Sequence, residues 1–338
     1  MGIIIAIVIL CVVIMFHELG HFLLAKACHI NVEEFAFGMG PRILSFERGG
    51  TVYAWRLIPI GGMCIMQGED EDDTTTGSFQ SAKVWQRILV VAAGPVFNFI
   101  LAFVCALVVI FGAGADVCTV YEVHDDSPAA QAGLMAGDLI VEYEGSEIIN
   151  ARDLQLDITL DGIPDEINLV VERDGERVAL SFATDDTGGG FSYNAAREKQ
   201  DFPTSIGYSF GEIKFWIKAT FKSLAGLFSG RFGLNDVSGP VGIVSSVSTV
   251  YNNASTYGAF SALMSMLNML ILISVNLGIM NLIPLPALDG GRLIFLFIEC
   301  IRRKRCNQKI EGIVHFIGIV VLLGLAAVIA FNDVLKLI

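Results

Sequence analysis

Two histidines and a glutamate stand together in a stretch that otherwise carries no charge. His17-Glu18-Leu19-Gly20-His21 follows the uncharged run from Gly2 to Phe16 and leads into Phe22-Leu-Leu-Ala25. On a helix, positions i and i+4 stack on one face, so both imidazoles can address one metal ion while the intervening glutamate reaches a water activated there. A hydrolytic zinc site needs in addition a third protein ligand and an open position for that water, whose pKa the metal lowers until the glutamate can take its proton. Ionisable groups are costly inside an apolar span and are functional there as a rule. Two of the chain's five histidines share this one, which weighs against a chance match.

A third ligand must come from elsewhere. Asn281-Leu-Ile-Pro284-Leu-Pro286-Ala-Leu-Asp289-Gly290-Gly291 closes a stretch, Val237 to Leu288, that holds no charge. Its two prolines break or unwind a helix and free backbone groups that only a protein-lined cavity or a substrate can satisfy. Asp289 then either caps a loop at the membrane edge or turns inward to the metal. With His17 and His21 present it is the best third ligand. His29, His124 and His315 read as surface or packing residues.

These groups must be positioned by elements that cross a membrane. The chain has 338 residues, 54% of them apolar and 17% charged, with a formal net charge of −13. That composition points to membrane spans and excludes collagen-like, disordered and disulfide-scaffold classes. It also argues against a nucleic-acid partner, because 22 Lys and Arg face 35 Asp and Glu. The net charges of residues 1–115, 116–236 and 237–338 are −3, −13 and +3, so the acidity belongs to the middle third. Of the seven cysteines only Cys118 falls there, which rules out a disulfide within that part. No Cys-x-x-Cys pair suggests a thiolate metal site.

Four spans of bilayer length are expected: Gly2 to about Ala25, Ile88 to Gly114, about Phe260 to Leu288, and about Gly312 to Phe331. The first lacks a basic leading segment and a small-residue cleavage site, so it reads as an uncleaved span. Basic residues concentrate in 26–87 and 290–310. Four spans put both segments on one side, the cytoplasmic one. The termini and the acidic part are then extracytoplasmic.

The two motifs together resemble the site-2 protease family of intramembrane zinc metalloproteases. Gly38-Met39-Gly40-Pro41, Gly94-Pro95-Val-Phe-Asn98-Phe99 and Ser238-Gly-Pro240-Val-Gly242 resemble its bacterial branch, the regulator-of-sigma-E protease type with one PDZ domain. Met39 stands where the family often has Phe. The resemblance implies Zn2+ held by His17, His21 and Asp289, with Glu18 as the catalytic acid/base. It implies Asn281 as the residue that binds and unwinds substrate, and Pro284, Pro286, Gly38, Gly40 and Asn98 as further substrate-binding positions. Its substrates are transmembrane segments of single-span proteins, of the anti-sigma-factor or remnant-signal-peptide type, trimmed beforehand by another protease. The setting is the bacterial plasma membrane, with the active site toward the cytoplasmic side.

The expected fold is thus a polytopic α-helical membrane protein of about four transmembrane helices, with a β segment and an inserted α+β domain. Residues 1–115 form an N-terminal membrane half, 116–186 the PDZ domain, 187–236 a linker with an amphipathic helix, and 237–338 a C-terminal membrane half. Strand-like pieces between 35 and 66, punctuated by glycines and Pro41 and Pro59, read by themselves as a cytoplasmic loop; the resemblance makes them a re-entrant β-hairpin that clamps extended substrate. Ser127-Pro128-Ala-Ala-Gln-Ala-Gly133-Leu134-x-x-Gly137-Asp138 and a hairpin around Asp174-Gly175 resemble the PDZ domains of bacterial proteases. Such a domain either binds a substrate tail or filters ectodomains by size. Lys214, Lys218 and Lys222, four apart between Glu212 and Arg231, suit a lipid-headgroup surface and packing on that domain equally well.

Two rival functions remain at this point: a membrane-anchored PDZ scaffold with a non-catalytic metal site, and a metal transporter. The second needs a chain of polar residues across several spans, and the spans offer few. Glu18→Gln separates the first from a protease. A protease keeps its zinc and loses cleavage, whereas a scaffold keeps its activity in cells; metal content and cleavage of a membrane substrate read the difference.

Overall fold

The computed structural model describes residues 1–69, 73–184, 189–194, 197–233 and 237–337. They fall into two compact units, Met1–Ala102 with Gly226–Ile338, and Phe103–Ala225.

The first unit begins with α1 (Gly2–Ala27), whose apolar side chains leave the backbone to satisfy itself internally, as a helix does. Its end is set by His29, at φ 59°, which lets the Ile30 N–H return to the Ala25 carbonyl at 2.8 Å. The chain then forms β1 (Val32–Arg48) and β2 (Thr51–Met66). This ribbon is folded on itself: Phe35 pairs with both Cys64 and Tyr53, and Ala36 with both Met63 and Ala54, while Leu44 to Arg48 pair with Trp55 to Thr51. Gly38 and Gly40, at φ 84° and 88°, make the bend. A β-carbon on Gly38 would strike the Ile58 carbonyl, so the bend excludes other residues. The strand-like pieces of 35–66 are therefore sheet.

Then comes α2 (Val84–Ala113), with Pro95 inside it. After the second unit follow α6 (Pro240–Ser255), α7 (Ala259–Leu282), α8 (Asp289–Arg302) and α9 (Gln308–Leu337). Among the described residues four helices, α1, α2, α7 and α9, are long and apolar enough to cross a membrane. Two helices lie where the sequence shows none: α6 within the uncharged stretch, and α8 within the basic segment 290–310. Counting charges hid α8, whose Leu293 and Leu296 pack with Ala25, Val32, Met66 and Val90 in one core. At its far end the buried Arg87 and Glu299 pair at 2.5 Å.

The second unit contains β3 (Ala115–Asp116), β4 (Thr119–Val123), α3 (Pro128–Gln131), β5 (Leu139–Tyr143), β6 (Ser146–Glu147), α4 (Ala151–Asp161), β7 (Glu166–Arg173), β8 (Glu176–Ala183), β9 (Phe191–Asn194), β10 (Arg197–Glu198) and α5 (Phe202–Phe228). The sheet order is β8-β7-β5-β4-β9, with β6 on β5. Asp174 and Gly175, both at positive φ, turn β7 into β8, the geometry an Asp-Gly hairpin favours. Asn150 and Asp153 form a capping box at the start of α4. Leu154, Ile140, Leu169 and Val171 fill the core.

Of the expected linker segment, 187, 188, 195, 196 and 234–236 lie outside the described residues. Gly189 and Gly190 lead straight into β9, the edge strand beside β4, so the sheet runs past position 186. The glycines serve a close approach, since a β-carbon on Gly190 would strike Ser127. The lysines of α5 are paired: Lys214 with Glu147, Lys218 with Asp157 at 2.8 Å, and Lys222 with Asp157 at 2.8 Å and Asp161 at 2.5 Å. Arg152 lies between Asp116 and Glu212, at 3.0 and 2.5 Å, with its guanidinium over the Phe215 ring. Thus the basic face of α5 meets carboxylates of its own unit.

Asp138, at the Gly-Asp turn, is enclosed: it accepts from Met135 N–H at 2.9 Å and from Arg173 Nε and Nη2, both at 2.7 Å. Burial alone would raise its pKa, but the Arg173 pair and the Met135 N–H hold it below the usual carboxylate range. A depressed folded-state pKa stabilises above the unfolded value of about 3.9 and stops doing so as pH falls through the folded one. Asp138→Asn is therefore expected to destabilise the unit by about 1–3 kcal/mol near neutrality. The deficit should shrink below about pH 4. Hydrogen exchange of β5 and β7 in the intact protein measures both.

Candidate metal centre

Helical spacing and tertiary packing meet at one point in the first unit. His17 and His21 are buried on one face of α1, with Nε2 to Nε2 at 3.1 Å. Asp289, the first residue of α8, places Oδ2 3.1 Å from His17 Nε2 and 3.5 Å from His21 Nε2. Ligands about 2.0–2.1 Å from a tetrahedral zinc stand about 3.3 Å from one another, so the three atoms form one face of such a site. Asp289 Oδ2 is buried and accepts no hydrogen bond, which leaves a charged oxygen directed at this point. The donor set, two imidazoles and a carboxylate, is one that zinc takes in hydrolytic sites. The residues fit the ion.

The outer nitrogens are held as well. His21 Nδ1 donates to the Val90 carbonyl at 2.9 Å, which leaves its Nε2 lone pair free for a metal. His17 Nδ1 lies 3.2 Å from the amide of Asn98, whose Oδ1 as placed has no partner. Exchanging the amide oxygen and nitrogen satisfies both groups, with His17 Nδ1–H donating to Oδ1. Asn98 is fully buried behind His17, and its backbone carbonyl accepts from Ser274 Oγ of α7 at 2.8 Å. The resemblance groups it with substrate contacts; the fold sets it against His17.

Close approach of α2 makes this possible. A β-carbon on Gly94 would run into both histidine rings, and one on Gly20 into the Ala93 carbonyl. On α7, a β-carbon on Gly278 would come within 3.2 Å of the Phe99 ring. The turn into α8 is equally tight: Gly290 and Gly291 lie against the carbonyls of Leu282, Ile283 and Leu285. Glu18, one residue from His17, is half-buried beside β2, where a β-carbon on Gly62 would stand 3.2 Å from its Cγ. Asn281 is half-buried at the end of α7, with Pro284 exposed and Pro286 half-buried in the following loop. Gly38 and Gly40 sit in the ribbon bend and make none of the contacts described around the histidines. Val90, Ser274, Gly94 and Gly62 carry no sequence signal of their own beyond the Gly-Pro motif at 94–95, because a backbone carbonyl or a missing side chain matters only through what packs against it.

A constellation of this kind within apolar helices defines a membrane-embedded metallohydrolase class, and comparison with known proteins makes it specific. A profile of peptidase family M50 matches residues 5–325. The chain is 31% identical to zinc metalloprotease RasP of Bacillus licheniformis, over 96% of each chain. It is 30% identical to regulator of sigma-W protease RasP of Bacillus subtilis, over 98% of this chain and 97% of that one. A putative zinc metalloprotease of Fusobacterium nucleatum subsp. nucleatum is 33% identical over 100% and 99%. The chain belongs to peptidase family M50. It is a zinc metalloprotease of the site-2 type, a multi-pass membrane protein with Zn2+ as its cofactor.

Removing the partner behind a metal-bound histidine typically weakens metal binding about 10–100-fold. Asn98→Ala is expected to do so, as measured by zinc retention against a graded chelator.

Proposed function

We propose that this protein is an intramembrane endopeptidase that cuts transmembrane segments of single-span membrane proteins during regulated proteolysis. The observation that carries this reading is the meeting of His17, His21 and Asp289 at one point beside Glu18, among helices apolar enough to span a bilayer. His17, His21 and Asp289 would hold the ion. Bound there, zinc supplies a Lewis acid that activates water and polarises the scissile carbonyl. Glu18 takes the proton of the attacking water and later returns it to the leaving amine. Asn98 and the Val90 carbonyl keep the two imidazoles in the tautomer that the ion needs. Asn281, Pro284 and Pro286 contact the unwound substrate backbone.

Extended substrate is presented by the β1–β2 ribbon, which re-enters the membrane. In support, one of its carboxylates, Glu34, is buried between Arg42 and Arg56, while the large apolar Leu44 and Phe46 are 68% and 64% exposed. An apolar surface of this kind suits lipid or an apolar partner. The outer edge, Arg42–Arg48, offers unpaired backbone groups to a strand drawn from the substrate. Gly38 and Gly40 shape that edge.

The unit containing β4–β9 acts as a PDZ domain on the extracytoplasmic side, together with both termini. Its β9 edge suits a substrate tail, and its bulk suits exclusion of large ectodomains. Substrates are those already shortened by another protease, of the anti-sigma-factor or remnant-signal-peptide type; the relative named for sigma-W regulation points the same way. The metal centre faces the cytoplasmic half of the bilayer, near the basic segments.

The test uses full-length protein in lipid vesicles with single-span substrates of graded ectodomain length, with and without a zinc chelator. Chelator-sensitive cleavage within the span, declining as the ectodomain lengthens, is expected. No chelator-sensitive cleavage across the series would overturn the proposal.

A further inference from the structure

Asp289 reaches the metal centre through a loop whose conformation its own sequence disfavours. Ala287 has φ 79°, a left-handed region that alanine rarely adopts. Contacts within the loop, such as Leu285 N–H to Ile283 O at 2.7 Å and Leu288 N–H to Leu285 O at 3.2 Å, tighten it without supplying a partner for the Ala287 amide. That partner comes from α9: the Ala287 N–H donates to His315 Nδ1 at 3.0 Å. Three residues along α9, on the same helical face, a β-carbon on Gly318 would collide with Pro286. One position thus supplies an acceptor, and the other supplies room.

The His315 ring is more than packing. It borders a cavity of about 330 Å3 whose lining sets Glu69, Arg292 and Glu311 beside Phe316 and Ile319. An acceptor Nδ1 must be unprotonated, which puts the ring proton on Nε2, 4.0 Å from Glu311 Oε1. Arg292 of α8 pairs in turn with Glu69, so the turn of chain just after Asp289 is tied down on this side as well.

We infer that His315 is a positioning residue for the metal centre: by holding Ala287 in its left-handed conformation, it fixes where Asp289, two residues on, presents its carboxylate. The inference rests on Asp289 being the third zinc ligand, and it adds a residue of α9 to the groups that set zinc affinity.

Zinc affinity of the purified full-length protein, measured by competition with a chromophoric chelator, tests it alongside cleavage. His315→Leu is expected to weaken zinc binding about 10–100-fold, the range seen when outer-layer partners are lost. His315→Asn, whose Oδ1 can stand where Nδ1 stood, should stay within about threefold of the wild type. Ala287→Gly alone should change little, yet combined with His315→Leu it should recover most of the loss, because glycine adopts the left-handed conformation unaided. If Asp289→Asn keeps wild-type affinity, the third-ligand reading falls and the inference with it. If Asp289→Asn loses zinc while His315→Leu binds it normally, the inference alone is overturned. A loss in His315→Leu that is neither avoided by His315→Asn nor repaired by adding Ala287→Gly also overturns it, since that is the signature of general packing damage. Should His315→Leu fail to fold, Gly318→Ala presses on the same loop through Pro286, and wild-type affinity there counts against the inference.

Discussion

Three ionisable side chains share one buried point, and much of the first unit is arranged to let them. His17, His21 and Asp289 converge within 3.1–3.5 Å among helices apolar enough for a bilayer. Without a cation between them, the carboxylate would face two imidazoles in an apolar setting, where an uncompensated charge is costly. With one, the same desolvation strengthens the hold on the ion. The glycines at 20, 94, 278, 290 and 291 follow from this constraint, because each marks a place where a side chain would push one wall of the site away.

The helices also act as a frame around the point. α2 contributes a carbonyl to one histidine and an amide to the other, and it is fixed to α7 through Ser274. α8 begins with Asp289 and is anchored at its far end by the buried Arg87–Glu299 pair, whose partners are costly to separate once desolvated. The site therefore depends on residues more than two hundred positions apart, and rigidity at the ends of α8 reaches the histidine pair through its first residue.

In the second unit a different electrostatic logic operates. The part of the chain that carries the whole net charge places several of its carboxylates against Lys214, Lys218, Lys222 and Arg152. Spacing alone could not decide between lipid headgroups and protein carboxylates as partners for those lysines, because both are negative; the placement of Glu147 and of Asp157 and Asp161, one turn apart on α4, decides it.

By itself the sequence determined the histidine pair and its glutamate, the apolar spans, the acidic middle and the Asp-Gly hairpin, since each is local: a helical spacing, a run of composition or a turn preference acts over a few residues. It also offered Asp289 as a third ligand, through a motif and the absence of competitors. The tertiary structure decided what local rules do not reach. It folded the strand-like pieces of 35–66 into a ribbon paired on itself, made helices of Pro240–Ser255 and Asp289–Arg302, carried the sheet past position 186 to β9, and set Asn98 against His17. It also gave His315, a lone histidine in an apolar span, a backbone amide to hold. In each case the deciding contact joins residues distant in sequence, so its energy appears only once the chain has closed on itself.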